Sequence, residues 1–270
     1  MQTIELNTIY NENCLDTMKS MPDDFVDLIV TSPPYDNLRI YEGYSFDFEN
    51  IANSIYRIMK KGGMVIWVVA DATINSSETG TSFRQALFFK SLGFCLYDTM
   101  IFHKINNTPK THKRYEQTFE YMFAFSKGKP KTFNPIRIPC KIKGKIKYRG
   151  ERKPRHHDNG ESMKIRDKYT VVHDTKLHSN IFSYTIGDPM SGFRCGHPAP
   201  FPLKLAIDQI CTWSNPDDVV YDPFLGSGTV AVACKMMHRN YIGSEISSHY
   251  TEIARNWIDH TEPKLFLEID

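Results

Sequence analysis

A chain of 270 residues, 41% apolar and 24% charged, has room for one α/β domain with a sizeable core and a few dozen residues of insertion. It holds no run of 18 apolar residues, and Met1-Gln2-Thr3-Ile4-Glu5-Leu6 lacks a charged-then-apolar layout, so neither a helical membrane span nor a secretory leader is expected. The net charge of +2 conceals an asymmetry: Lys127 to Lys176 carries 16 Lys and Arg against 5 Asp and Glu, while the rest of the chain is acidic. That block reads either as a polyanion-binding insert or as a solvated loop.

In chain order, Val26-Asp27-Leu28-Ile29-Val30-Thr31 is a short apolar strand pattern that runs into Ser32-Pro33-Pro34-Tyr35. Phe48 to Met59 spaces its apolar residues as a helix, and Lys60-Lys61-Gly62-Gly63 is expected to stop it. Met64 to Val69 is a continuous apolar run, which suits a strand buried on both faces. Ser82 to Leu92 reads as a helix ended at Gly93. Leu96 to His103 and Phe119 to Phe125 are strands too close together for a helical crossover, which predicts an antiparallel pair.

From Gly128 to Ser179 the periodicity dissolves. Lys141 to Tyr148 alternates like a strand with its lysines on one side, and Arg149 to Met163 is polar. Order returns at Ile181, and Pro202 to Trp213 carries a broad apolar helical face. A strand at Asp218 to Tyr221 then meets Asp222-Pro223-Phe224-Leu225-Gly226-Ser227-Gly228-Thr229, followed by a helix pattern to Met237, a strand at Tyr241 to Ile246 and a helix from Tyr250 to Ile258.

A strand entering a glycine-rich turn and then a helix marks a cofactor site at the C-terminal edge of a parallel sheet. Gly226 and Gly228 let backbone turn tightly and approach a ligand, and Glu245, 17 residues past Gly228 at the end of the next strand, can bind the two hydroxyls of a ribose. No lysine follows the second glycine, which excludes a Walker A loop, and the missing third glycine disfavours a nicotinamide fold. In Ser32-Pro33-Pro34-Tyr35 the prolines stiffen the strand end, so that the Ser32 hydroxyl and nearby carbonyls present fixed acceptors to an amine, and Tyr35 offers a flat face to a base. Standing alone, it would read as a proline turn capping a strand. Six scattered cysteines without a Cys-x-x-Cys pair predict no metal site, no disulfide framework and a cytoplasmic location.

Together these residues resemble the beta class of S-adenosylmethionine-dependent amino-group DNA methyltransferases. Thr31 to Tyr35 is similar to that family's catalytic motif and Asp222 to Thr229 to its cofactor motif, in the class's permuted order with a recognition insert between them. Tyr115 to Tyr121 and Phe125 to Pro130 resemble the segment before the recognition region, and His197 to Pro202 the segment leading into the cofactor half. The resemblance implies a doubly wound, mostly parallel Rossmann-like methyltransferase sheet: residues 1–127 as the catalytic half, 128–179 as the recognition insert and 180–270 as the cofactor-binding half. It implies Ser32, Pro33, Pro34 and Tyr35 as catalytic, and Asn13, His197, Asp222, Phe224, Gly226, Gly228, Thr229 and Glu245 as cofactor-binding. Asn13 is a departure, because the family often has an aspartate there; its carbonyl can still accept from the adenine amine, without the charge. Arg39 and the insert's Lys141, Lys143, Lys145, Lys147, Arg149, Arg152, Lys153 and Arg155 are expected to contact DNA.

The implied reaction moves a methyl group to the exocyclic amine of a base flipped out of double-stranded DNA. In the family that the chain resembles, serine at the motif's first position is commoner among enzymes methylating cytosine N4 and aspartate among those methylating adenine N6, so the resemblance implies cytosine N4 with adenine N6 as the alternative. Methylation of RNA or of a protein amide, and a silent DNA-binding module with the same fold, are the alternatives. A cognate restriction endonuclease is compatible with the resemblance, as is either a monomer or a homodimer. Pro139-Cys140 is the one Pro-Cys dipeptide and falls in the basic insert, so no cysteine nucleophile is expected.

Overall fold

The computed structural model describes residues 3–34, 46–106, 114–148, 169–186 and 202–263. They belong to two compact units, Met1–Asn134 with Asn180–Asp270, and Pro135–Ser179. Tyr35, Arg39, Arg149, Arg152, Lys153, Arg155 and His197 lie outside the described residues.

The first unit opens with β1 (Thr8–Tyr10), α1 (Cys14–Ser20), β2 (Val26–Thr31), α2 (Phe48–Ile58) and β3 (Met59–Val69). A small hairpin, β4 (Thr73–Ile74) and β5 (Ser77–Glu78), leads to α3 (Thr81–Ser91), β6 (Cys95–Lys104) and β7 (Phe119–Ser126). The second unit contributes β8 (Arg137–Pro139), β9 (Ile146–Tyr148), β10 (Tyr169–Val171) and β11 (Thr175–Leu177). Back in the first unit follow β12 (Ile181–Tyr184), α4 (Leu203–Trp213), β13 (Val219–Asp222), α5 (Thr229–Met236), β14 (Asn240–Ser244) and α6 (Ser248–Asp259).

One eight-stranded sheet runs in the order β1-β14-β13-β2-β3-β7-β6-β12. The first five strands in that order are mutually parallel, β7 is antiparallel to both β3 and β6, and β12 joins β6 in parallel. The C-termini of β1, β14, β13, β2 and β3 therefore share one edge, which is where ligands bind in open α/β sheets. The mostly parallel, doubly wound fold is as expected, and so is the antiparallel pair of β6 and β7.

Side chains alternate between two cores, one on each face. Leu28, Val30, Met64, Ile66 and Val68 pack with α4, α5 and α6. Val26, Ile29, Val65, Trp67 and Val69 face the other way, against α1, α2 and α3. A strand buried on both faces needs apolar residues at every position, which is why Met64 to Val69 is an unbroken run.

Two local expectations are corrected. Lys60 to Gly63 does not trail off as a helix stop: α2 ends at Ile58, and these residues form an excursion of β3 between the pairs Val26–Met59 and Leu28–Met64. The excursion is held by Gly62 N–H to the Lys127 carbonyl at 2.7 Å and by Lys131 N–H to the Gly62 carbonyl at 3.0 Å, and Gly62 needs its φ of +83° to make it. In the second unit, Lys141 to Tyr148 is not one strand. Residues 141–144 turn, with Gly144 at φ +73° and its N–H on the Val172 carbonyl at 2.9 Å, and only Ile146–Tyr148 pairs, antiparallel to Tyr169–Val171. The left-handed glycine breaks the alternation that the sequence suggested.

Candidate active site

The two motifs meet at the shared edge. The Thr31 hydroxyl at the end of β2 donates to Asp222 Oδ1 at the end of β13, at 2.6 Å across 191 residues of sequence. The same oxygen accepts the Phe224 N–H at 3.0 Å, which bends the chain into the glycine-rich turn. Asp222 is buried, and burial pushes its carboxyl up to about 7; the neighbouring Glu245 charge adds to the rise, while the bonds from Thr31 and Phe224 oppose it. Ser32 and Pro34, half-buried, and Pro33, buried, follow Thr31 directly.

Glu245 stands one residue beyond β14 and clamps the turn from the other side. Its Oε2 accepts the Gly226 N–H and its Oε1 the Ser247 N–H, each at 2.8 Å. Its own N–H donates to the Tyr10 carbonyl at 3.0 Å, so β1 is tied to the same corner. Gly226 takes φ +53° in this turn. Gly228 has a second reason to be glycine: at φ +96°, a Cβ there would lie 2.8 Å from the Ala254 Cβ of α6. Thr229 is buried as the first residue of α5.

Asn13 caps α1, its Oδ1 accepting from Leu15 N–H at 2.9 Å just past the end of β1. Asn13, Glu245, Asp222 and Ser32 thus follow one another along the edge in the order of their strands. Phe224 is half-buried and meets Phe46 edge-on at 5.7 Å between ring centroids, with Trp67 behind it at 6.3 Å. Of the insert residues, Lys141, Lys143 and Lys145 are exposed within the second unit.

Several supporting residues carry no local sequence signal. Gly243 inside β14 leaves room for Leu225 of the turn, whose Cδ2 would sit 2.6 Å from an added Cβ. A buried hydroxyl chain runs from Tyr221 to Ser244 at 2.8 Å and from Ser244 to Thr17 at 2.9 Å, and Thr17 donates to Glu12 at 2.8 Å, which locks α1 against β13 and β14. Only the assembled sheet brings these groups together. Cys14 lies beside this corner, but burial pushes its thiol up to about 12, which leaves no thiolate for nucleophilic attack. Among the described residues no group of three or more His, Cys, Asp or Glu is placed to hold a metal ion, and no helix is long and apolar enough to cross a membrane.

Comparison with known proteins identifies the family and the fold. A family model described as DNA methylase matches residues 26–256. The orphan methyltransferase M.BamHII of Bacillus amyloliquefaciens is 47% identical over 242 residues, 87% of this chain and 89% of its own. The Type II methyltransferase M.BglII of Bacillus subtilis is 27% identical over 264 residues, 92% of this chain and 68% of its own. In fold, the chain is similar to the PvuII DNA methyltransferase (cytosine-N4-specific), at a TM-score of 0.68 and 19% identity over 99% of this chain and 89% of that one. It is also similar to a DNA modification methylase of Thermus thermophilus in complex with S-adenosyl-L-methionine, at a TM-score of 0.60 and 22% identity over 95% and 96% of the two chains. Because the family match spans the strand before Ser32, the Asp222 turn and Glu245 in one stretch, the chain belongs to the N6/N4 DNA methylase family.

Proposed function

We propose that this protein methylates the exocyclic amine of a base in double-stranded DNA, with S-adenosylmethionine as donor and cytosine N4 as the target atom. The observation that supports the reading is the bond from Thr31 to Asp222, which joins the strand end before Ser32-Pro33-Pro34 to the glycine-rich turn at one sheet edge.

The edge fits this cofactor chemically. Glu245 makes it acidic, with the buried Asp222 carboxyl as a second acceptor, which suits a cationic sulfonium and opposes a nucleotide phosphate. Glu245 would hold the ribose hydroxyls, Asn13 the adenine amine, and Phe224 would pack against the cofactor's apolar surface. When bound, the cofactor supplies an activated methyl group on sulfur.

An exocyclic amine conjugated with its ring is a poor nucleophile. Hydrogen bonds from its two N–H groups to the Ser32 hydroxyl and the Pro33 carbonyl would draw the nitrogen toward a tetrahedral shape with its lone pair aimed at the methyl group, and one N–H proton would be lost to solvent once the methyl carbon is bound. The prolines limit backbone movement, and the Thr31–Asp222 bond fixes the strand end, so these acceptors are in place before the base arrives. Tyr35 would stack on the flipped base. The exposed Lys141, Lys143 and Lys145, with the other basic residues of the insert, would neutralise phosphates. Serine at position 32 is the feature that favours cytosine over adenine.

Sequencing DNA with base-modification detection, from cells that express this chain and from cells that do not, tests the reading. One motif with fully modified cytosines only in expressing cells is expected. Modified adenines at such a motif would correct the target atom, and unmodified DNA would remove the reading.

A further inference from the structure

Past the end of β3 the chain leaves the sheet as the β4–β5 hairpin, with Asn75 and Ser76 at its turn. Every residue from Thr73 to Glu78 is exposed, Ile74 at 55%. Asn75 and Ser76 take φ of +49° and +64°, the left-handed pair that a tight two-residue hairpin needs.

A two-stranded hairpin with no core of its own is marginal in water, so something must keep this one formed. Asp71, buried at its base, accepts the Ser82 N–H at 2.9 Å, the Ser82 hydroxyl, and the Thr79 hydroxyl at 3.3 Å. Thr79 N–H closes the base on the Ala72 carbonyl at 2.9 Å. Arg114 holds the far end: its guanidinium donates to the Ser76 carbonyl and pairs with Glu78 at 3.9 Å. The same pairing offsets the one carboxylate on the hairpin that would repel a phosphate.

The hairpin's position is the telling feature. β3 lies beside β2 with Thr31 opposite Trp67, two residues before β3 ends at Val69. The hairpin therefore rises from the edge that carries Ser32, one strand away, and neighbouring strands are about 4.8 Å apart. A single exposed isoleucine needs no explanation on its own. This one is carried on a braced protrusion at the edge that carries Ser32.

We infer that the β4–β5 hairpin enters the duplex where the target base leaves it, with Ile74 filling the vacated space and the Asn75–Ser76 turn facing the base left without a partner. The inference rests on the DNA amine methylation proposed above. Extruding a base sacrifices stacking and pairing, and an apolar wedge restores part of the stacking while holding the duplex open. The Asn75 amide and Ser76 hydroxyl supply both donors and acceptors to the exposed pairing edge. Ile74 acts on the reaction through the DNA and touches no reacting atom, which makes it a positioning residue.

The test compares wild type, Ile74→Ala and Ile74→Leu on two duplexes that carry the mapped site. One duplex is intact, and the other has an abasic position opposite the target base. Ile74→Ala is expected to lose roughly tenfold in kcat/KM on the intact duplex and little on the abasic one, where extrusion is already cheap. Ile74→Leu should match wild type on both, and all three proteins should bind S-adenosylmethionine alike. An equal loss on both duplexes, or none on the intact one, overturns the inference while leaving the methylation reading in place. A wild-type protein that methylates neither duplex removes that reading, and the inference falls with it.

Discussion

Glu245 joins three parts of the site, because its two carboxylate oxygens hold the glycine turn and the start of α6 while its backbone holds β1. Removing it should cost cofactor binding in two ways, through the missing ribose hydrogen bonds and a loosened turn. Glu245→Ala is expected to weaken S-adenosylmethionine binding by about 1.5–3 kcal/mol, the range for a hydrogen bond to a charged group. Gly226→Val should weaken it as well, since a β-branched residue resists the φ of +53° that Gly226 adopts. Calorimetry on the folded variants measures both, and unchanged affinity in the pair would retire the assignment. Ser32→Ala should behave differently. On the proposed mechanism the hydroxyl it removes would serve the target amine, so turnover should fall while cofactor affinity is kept, and a single-turnover assay beside a binding isotherm separates the two effects. The positions of Ser32 just past β2 and of Asp222 at the end of β13 were legible in the sequence, because each motif closes a short apolar strand pattern. The partners of Asp222 and Gly243 were not, because Thr31 and Leu225 reach them only after distant segments pack.

Among the elements, the strands and helices of the first unit were read well wherever periodicity and burial agree. The Lys60–Gly63 segment misled because lysines followed by glycines resemble a helix C-terminus. In the folded chain Lys60 turns to Asp27, at 2.7 Å, and Gly63 is squeezed against the Asp27 carbonyl, 2.9 Å from where a Cβ would sit. Hairpin β4–β5 left no apolar pattern to find, since its residues are exposed on both sides. In the second unit the turn at Gly144 displays Lys141, Lys143 and Lys145 as exposed cations. If they meet phosphates, replacing all three with glutamine should weaken binding to every DNA sequence alike. It should also reduce the slope of log affinity against log salt by about 0.9 for each phosphate that is no longer neutralised. Filter binding across a salt series reads this directly, and a wild-type slope in the triple variant would make the turn a solvated loop. Cofactor binding should not change.

At the scale of the whole molecule, Asp27 is a buried electrostatic tie at the sheet edge opposite the motifs. Its carboxylate is almost fully buried in β2, accepts from Lys60 and Lys131, and takes the Val219 N–H of β13 at 3.0 Å. Burial alone would raise its pKa, but the bonds from Lys131, Lys60 and Val219 outweigh burial and hold it below the usual 3.8. A carboxyl whose pKa is depressed by folding contributes stability at neutral pH that is lost as pH falls through the folded value. Asp27→Ala should therefore destabilise the protein by about 1–3 kcal/mol at pH 7, toward the lower end because both lysines can hydrate. The gap to wild type should begin to close below about pH 4, as urea midpoints at several pH values would show. The two motifs meet at the opposite edge, where Thr31 bonds to Asp222. The most direct test of that site's chemistry incubates the purified protein with S-adenosylmethionine and duplex DNA, digests the product to nucleosides and identifies them by mass. N4-methylcytosine is expected from wild type and almost none from Ser32→Ala, and a digest in which no base carries a new methyl group on an exocyclic nitrogen would show that the protein is not an amine methyltransferase of DNA.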